Sequence, residues 1–249
     1  MNDKKTILVT GSSRGIGREI ARLAYKRGYK VIIHGKTATD NLLSLHKELK
    51  GSVKVFFDVA NKRATQNTLA KLIRSIGPID VLVNNAGIAK NFIKDISTVD
   101  DDLALEEYKT NVLGSIHCIQ AVLPAMLDQR RGSVINISST KGYTQLATIS
   151  TFTYAPTKSA VISITMSLAK KYSPLGVRFN VVAPGYVETD QVNDWNQETF
   201  NRINQGTLLG RMAKPAEIAP VVLFLASEES SYMTGSEILV DGGYMLGGK

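Results

Sequence analysis

Two rhythms alternate along this chain. Short apolar runs at residues 6–10, 31–33, 53–57, 79–83, 133–138, 177–183 and 237–240 read as strands, several of them apolar throughout and therefore covered on both faces. Between them lie longer segments with apolar residues at helical spacing. One carries Ile20, Leu23 and Ala24 and stops at Gly28; others run over residues 40–50, 61–76, 101–128, 154–173 and 215–226. Strands alternating with helices of ten or more residues predict β-α-β units and hence a parallel sheet with helices on both sides. The expected architecture is α/β: a Rossmann-like, doubly wound parallel sheet of about seven strands.

No Pro/Gly/Ser-rich linker, charge block or internal repeat divides the 249 residues, so a single domain over 1–249 is expected. Its first half, to about residue 110, is the cofactor half, and residues 111–249 carry the catalytic and substrate half. After Pro184-Gly185 the pattern degrades into the polar stretch 188–206. A substrate-binding lid and a solvated helix pair are both compatible with that stretch, because loops of this length are usually functional or mobile.

Composition narrows the classes. With 43% hydrophobic and 21% charged residues the chain is neither disordered nor fibrous. Residues 1–5 lead straight into a strand, and no continuous apolar run approaches the ~18 residues of a membrane span. A soluble cytoplasmic protein is expected, with no membrane partner. The single cysteine, Cys118, excludes an internal disulfide, and its neighbours Ile116 and Ile119 suit a packed helix. His34, His46 and His117 lack metal-ligand spacing, so no metal site is expected. The net charge of +8 comes from scattered Lys and Arg without an aromatic-interleaved basic stripe. That argues against nucleic acid and for attraction to anionic ligands, such as a phosphorylated cofactor or an acidic carrier protein.

The first chemical signal is Gly11-Ser-Ser-Arg-Gly15-Ile-Gly17, set between the first strand and the first helix. There a tight turn lets backbone N–H groups and the helix N-terminus approach a pyrophosphate. The same letters match the G-x-S-x-G elbow of serine hydrolases, but that chemistry needs a histidine late in the chain, and the last one is His117. Dinucleotide binding is the better account. The second strand ends His34-Gly35-Lys36-Thr37 with no acid before Asp40 to grip a ribose 2′-OH, while Lys36 and Arg14 can meet a 2′-phosphate. NADPH is favoured over NADH.

The second signal is Tyr154-Ala-Pro-Thr-Lys158. On a helix this spacing puts phenol and ammonium on one face, and a nearby ammonium lowers the phenol pKa from its usual ~10. Pro156 marks a first helical turn, so Tyr154 stands at a helix mouth.

Taken together, residues 10–17, Asn84-Asn-Ala-Gly87, Asn111, Ser139, Tyr154-x-x-x-Lys158 and Pro184-Gly185 resemble the short-chain dehydrogenase/reductase family over essentially the whole chain. The resemblance implies a catalytic tetrad of Asn111, Ser139, Tyr154 and Lys158 and the reduction of a ketone by nicotinamide hydride, or its reverse. Ser139 is taken in preference to Ser138 because Ser-x-x-Gly142 follows it. By the same resemblance Tyr154 gives a proton to the developing alkoxide, Ser139 hydrogen-bonds the carbonyl oxygen, Lys158 lowers the tyrosine pKa and holds the nicotinamide ribose, and Asn111 anchors a relay water. It also implies cofactor contacts from Gly11, Ser13, Arg14, Gly15, Ile16 and Gly17, from Lys36, from Asp58 and Val59 at the adenine, and from Asn85, Ala86 and Gly87. Pro184, Gly185, Val187 and Thr189 would lie near the carboxamide.

Within the family the chain is most similar to bacterial 3-oxoacyl-(acyl-carrier-protein) reductases, through residues 10–17, 209–218 and 238–243. This implies an acyl-carrier-protein partner docking near Arg130 and Arg131, and a homotetramer built on the helices around 101–128 and 154–173. Leu175 stands where a second docking arginine is expected. The segments after Gly87 and between Ser139 and Tyr154 each look about two residues longer than in those reductases. Leu146, Ala147, Ile149 and Phe152 in the second can accept an acyl chain or pack the loop. A reductase or dehydrogenase of a sugar, polyol or other small carbonyl compound is the alternative, since fold likeness does not set the substrate. A non-catalytic dinucleotide-binding module is the remote one, as it would be expected to lack Tyr154 or Lys158.

Overall fold

In the computed structural model, which describes residues 4–192 and 195–247, seven parallel strands form one sheet in the order β3-β2-β1-β4-β5-β6-β7. The strands are β1 (Thr6–Val9), β2 (Lys30–Gly35), β3 (Val53–Phe56), β4 (Val81–Asn84), β5 (Gly132–Ile137), β6 (Val177–Pro184) and β7 (Glu237–Val240). Among the described residues the α-helices are α1 (Gly15–Lys26), α2 (Asp40–Glu48), α3 (Lys62–Ile76), α4 (Asp101–Tyr108), α5 (Gly114–Asp128), α6 (Tyr154–Tyr172), α7 (Gln197–Gly206) and α8 (Pro215–Ala226). This is the Rossmann-like doubly wound sheet that the periodicity predicts.

Residues of successive strands alternate between two cores, as the pleat requires. Ile7, Val9, Ile33 and Val83 pack with Ile20 and Ala24 of α1, Leu42 of α2 and Val222 of α8 on one face. Leu8, Ile32, Leu82 and Val134 pack with Leu69 of α3 and Cys118 and Val122 of α5 on the other. Each such side chain fully withdrawn from water contributes roughly 1.5–3 kcal/mol, which makes the sheet centre the rigid base of the molecule.

Strand order reverses between β1 and β4, so the loops at their carboxyl ends splay apart and leave the crevice where such sheets hold ligands. Helix caps point to the same place. Thr39, Asn61 and Asp100 cap α2, α3 and α4 through their side chains, whereas α1 has no side-chain cap at Arg14. The open N–H groups of its first turn are available to an anion.

Helices α4 and α5 run on through a π-helical turn, Lys109–Leu113, so residues Asp101–Asp128 make one helical stretch of 28 residues. It is long and apolar enough to cross a membrane by length and composition, contrary to the expectation from continuous apolar runs, because its charges lie at residues 101–109 and 128 and leave 110–127 uncharged. Half of its most apolar window is buried in the fold. The expected lid resolves into a 3-10 turn, Asp190–Val192, and α7; residues 193 and 194 of that expected lid lie outside the described residues.

Candidate active site

The ends of β1 and β4 are pinned to one another. Thr10 Oγ1 accepts hydrogen bonds from the N–H groups of Asn85 and Ala86, both at 3.0 Å, and Asn85 Nδ2 donates to the carbonyls of Thr10 at 2.9 Å and Gly11 at 3.1 Å. Gly11 has φ +63° and Gly15 φ +54°, left-handed backbone that glycine adopts without strain. A Cβ on Gly11 would stand 2.9 Å from Ala86 Cα, and one on Gly17 would run into Asn85 Nδ2 and the Gly11 carbonyl oxygen. The loop is thus a backbone-lined cradle at an uncapped helix N-terminus, a fit for the pyrophosphate of a dinucleotide.

His34 holds this loop from behind. Its Nδ1 accepts the Gly11 N–H at 3.1 Å, so the proton sits on Nε2, 2.9 Å from the Phe57 carbonyl that accepts it. Ser12 adds a reciprocal bond, its Oγ accepting the His34 N–H at 2.8 Å. Burial pushes the imidazole down to about 4, keeping it neutral.

The expected cofactor residues gather around the cradle. Ile16 packs on the core beneath it. Thr189 overhangs Gly15, with its Cγ2 3.3 Å from where a Cβ on that glycine would sit. Gly185 N–H donates to the Val240 carbonyl at 3.0 Å, and Val187 bridges to Ala213, which brings the segment after Pro184 across the crevice. Lys36 and Asp58, closing β2 and β3, form an ion pair at 2.7 Å, and Arg14 lies 3.8 Å from Asp190. Both cations expected at a 2′-phosphate therefore have acidic neighbours. Val59 contributes its carbonyl to the His117 ring at 2.9 Å and its side chain to the wall against Gly114.

Beside the cradle, Tyr154 is the first residue of α6, and the Ser139 hydroxyl lies near enough to its phenol to favour the phenolate. Ser139 caps a short 3-10 turn, Thr140–Gly142, its Oγ accepting the Lys141 N–H at 3.1 Å. Ser138 has the structural role expected of it: it is buried and its Oγ donates to the Lys158 carbonyl at 2.9 Å. Lys158 is 6% exposed; its Nζ donates to the Ile137 carbonyl at 3.0 Å and lies 5.7 Å from the Tyr154 ring centroid. Desolvation pushes its ammonium down to about 8. Desolvation also dominates at Tyr154 and pushes the phenol up to about 12, against the lowering by the Ser139 hydroxyl and with a further rise from the Glu107 charge. The Lys158 ammonium makes no direct hydrogen bond to the Tyr154 hydroxyl; its own bond goes to the Ile137 carbonyl.

Asn111 sits in the π-helical turn, a feature frequent at functional sites. Its Oδ1 accepts the Ile88 N–H at 2.8 Å, and its Nδ2 donates to the Ile88 carbonyl at 2.9 Å and to Thr157 Oγ1 at 3.0 Å. A Cβ on Gly87 would lie 3.2 Å from Asn111 Oδ1 and 3.4 Å from Lys158 Nζ, so the bare glycine lets these groups approach. The fold therefore brings Asn111, Ser139, Tyr154, Lys158 and the residue 85–87 edge to one crevice.

The chain is similar to known proteins over nearly its whole length. Residues 11–245 match the family model described as enoyl-(acyl carrier protein) reductase. A curated 3-oxoacyl-(acyl-carrier-protein) reductase of Thermotoga maritima is 36% identical over 247 residues, covering 97% of this chain and 98% of its own. This chain therefore belongs to the short-chain dehydrogenase/reductase family. Among solved structures, a 3-oxoacyl-(acyl-carrier-protein) reductase from Brucella melitensis superposes with a TM-score of 0.88 at 33% identity, covering 96% of this chain and 90% of that one. The aldohexose dehydrogenase of Thermoplasma acidophilum superposes at 0.87 with 30% identity, covering 98% and 94%. The protein is accordingly a short-chain oxidoreductase acting between ketone and CH–OH groups with a nicotinamide dinucleotide.

Two features of this family member escape its sequence motifs. Glu107, fully buried in α4, accepts the backbone N–H groups of Lys90 at 2.6 Å and Asn91 at 3.0 Å through Oε1, and the Thr153 hydroxyl at 2.8 Å through Oε2. It joins the segment after Gly87 to the segment between Ser139 and Tyr154. Its place one turn before Asn111 was the available signal. Lys141 is the other, half-buried and turned toward Tyr186. By contrast, Arg130 and Arg131 precede the first residue of β5, at the end of the sheet opposite Ser139; Arg131 pairs with Asp80 at 3.2 Å. A six-residue strand puts roughly 20 Å between them and the catalytic end of their own chain. Exposed Leu175 ends the turn beside Arg130, where Gly176 packs on the Arg130 backbone.

Proposed function

We propose that this oxidoreductase is a cytoplasmic homotetramer that uses NADPH to reduce the 3-oxo group of an acyl thioester on acyl carrier protein to a secondary alcohol. The observation that carries the reading is the convergence of Ser139, Tyr154 and Lys158 beside the glycine cradle, in a chain whose curated relative over nearly its whole length bears that activity's name. When bound, the nicotinamide supplies the hydride. Ser139 donates a hydrogen bond to the carbonyl oxygen as charge develops there, and Tyr154, a phenol fully protonated at neutral pH, gives its proton to the alkoxide. Lys158 remains largely ammonium at neutral pH and is the charge that favours the phenolate left behind, besides holding the nicotinamide ribose. The Asn111 carboxamide is committed to Ile88 and Thr157, and Asn111 anchors the water that relays protons to Lys158. Gly11, Ser13, Gly15, Ile16 and Gly17 hold the pyrophosphate, Arg14 meets the 2′-phosphate, Asp58 and Val59 contact the adenine, and Asn85 to Gly87 line the cofactor edge. Pro184, Gly185, Val187 and Thr189 meet the carboxamide. Lys36 selects the 2′-phosphate. A carrier docked at Arg130 and Arg131 serves the active site of another copy of the chain, given their place at the far end of β5.

One observation favours a sugar or polyol as substrate instead. Ile149 and Phe152 are 45% and 48% exposed, forming no closed acyl tunnel, and a solved relative is an aldohexose dehydrogenase.

NADPH and NADH consumption with acetoacetyl-coenzyme A, acetoacetyl-carrier protein, crotonyl-coenzyme A and an aldohexose separates these readings. We expect fast NADPH oxidation with the acetoacetyl thioesters, improved by the carrier, and none with the enoyl thioester. Turnover of the aldohexose alone would overturn the acyl reading. Tyr154→Phe is expected to keep cofactor binding while turnover drops by about two orders of magnitude or more.

A further inference from the structure

Two residues past Ser139, the Lys141 side chain folds back over the catalytic mouth. Its Nζ lies 5.9 Å above the Tyr186 ring and 3.5 Å from the Leu146 carbonyl, a marginal hydrogen bond. Among the described residues no carboxylate stands within 4.0 Å of it. Tyr186, immediately after Pro184-Gly185, stacks edge-on with Trp195 at 5.8 Å and Tyr244 at 4.9 Å, so the cation stands over an aromatic wall.

A half-buried ammonium that has given up part of its water without a carboxylate partner is in an unfavourable state in the free protein. One carbonyl and one ring face offset this only in part. A bound anion would offset the cost with charge-assisted hydrogen bonds, and unfavourable electrostatics of this kind concentrate at functional sites.

We propose that Lys141, beside the Tyr186 ring, forms an anion subsite that binds a carboxylate or phosphate carried by the ketone substrate. This rests on Ser139 and Tyr154 being the carbonyl-binding pair. Two sources of the anion are compatible with the chemistry: a carboxylate at the end of the acyl chain, or the phosphate of a pantetheine arm.

Matched substrates test it independently of the carrier. Ethyl 3-oxohexanoate and the 1-ethyl ester of 3-oxoadipate differ only in a terminal methyl against a carboxylate; acetoacetyl-pantetheine and its 4′-phosphate differ only in the phosphate. The wild-type protein is expected to prefer the anionic member of one pair by about tenfold or more in kcat/KM, through KM, and the pair that responds identifies the source. Lys141→Met is expected to erase that preference while the neutral member stays within about threefold, and Lys141→Arg to restore it. Melting temperatures of the variants guard against misfolding. Binding of the matching hydroxy acid and hydroxy ester to the NADP-bound protein by calorimetry gives the same comparison without turnover. No preference in either pair, or a Lys141→Met loss equal for neutral and anionic members, would overturn the subsite. Failure of the acetoacetyl thioesters alone would overturn the acyl-carrier reading and leave the ester comparison standing.

Discussion

Thr153 Oγ1 donates a 2.8 Å hydrogen bond to Glu107 Oε2, across 46 residues of sequence, directly before the residue that starts the Tyr154 helix. The other oxygen of the same buried carboxylate gathers two backbone N–H groups of the segment after Gly87. One side chain therefore sets the distance between the two loops that border the catalytic mouth.

Removing that carboxylate leaves two N–H groups and a hydroxyl without a partner. Glu107→Ala is expected to lower stability by about 2–4 kcal/mol and kcat by about tenfold or more, while cofactor affinity changes little. Glu107→Gln keeps an acceptor for both N–H groups and should recover most of both. Thermal melts with steady-state kinetics check this; equal losses in the two variants would show that charge, rather than the hydrogen bonds, matters.

Lys158 is held at a cost. Its ammonium titrates near 8 in the folded chain against the usual 10.5, so between these values the unfolded chain binds more protons and stability rises with pH. Below about pH 8 the whole penalty is present, on the order of 3 kcal/mol. Lys158→Met should abolish turnover yet match or exceed the wild-type urea midpoint at neutral pH, and the difference should shrink as pH is raised toward 10. A variant that is markedly less stable at neutral pH would contradict the sign.

His34 works in the acid range. Folded, it stays neutral down to about 4, whereas the unfolded side chain takes up its proton near 6.5. Its contribution is complete above about pH 6.5 and is lost as pH falls toward 4, by roughly 3 kcal/mol in all. Protonation also removes the acceptor for the Gly11 N–H, so dinucleotide affinity should fall along with stability. His34→Asn should flatten this acid slope, measured as denaturant midpoints between neutral pH and about pH 4.5.

Lys36 meets Asp58 at 2.7 Å from an exposed position. If it also meets the 2′-phosphate, Lys36→Ala should raise the KM for NADPH by about tenfold and leave that for NADH nearly unchanged, and Asp58→Asn should lower the KM for NADPH. Parallel titrations with the two cofactors decide it; an equal change for both would remove Lys36 from cofactor choice.

The element order, the sheet type and the position of the crevice were legible in the sequence. Each apolar period reports only its own segment, and right-handed crossovers leave few ways to assemble alternating strands and helices. The glycine loop and the Tyr154–Lys158 spacing were legible for the same reason, since neighbouring residues on one turn or one helix face carry their geometry with them. What only the tertiary structure decided were partnerships between distant segments: Glu107 with Lys90, Asn91 and Thr153, Lys36 with Asp58, His34 with the Gly11 N–H, and Lys141 with Tyr186. It also put Arg130 and Arg131 at the end of β5 away from Ser139 and tied the Lys158 ammonium to the Ile137 carbonyl. Such pairings depend on which strand lies beside which and on the direction each side chain takes once packed, and no local period encodes either.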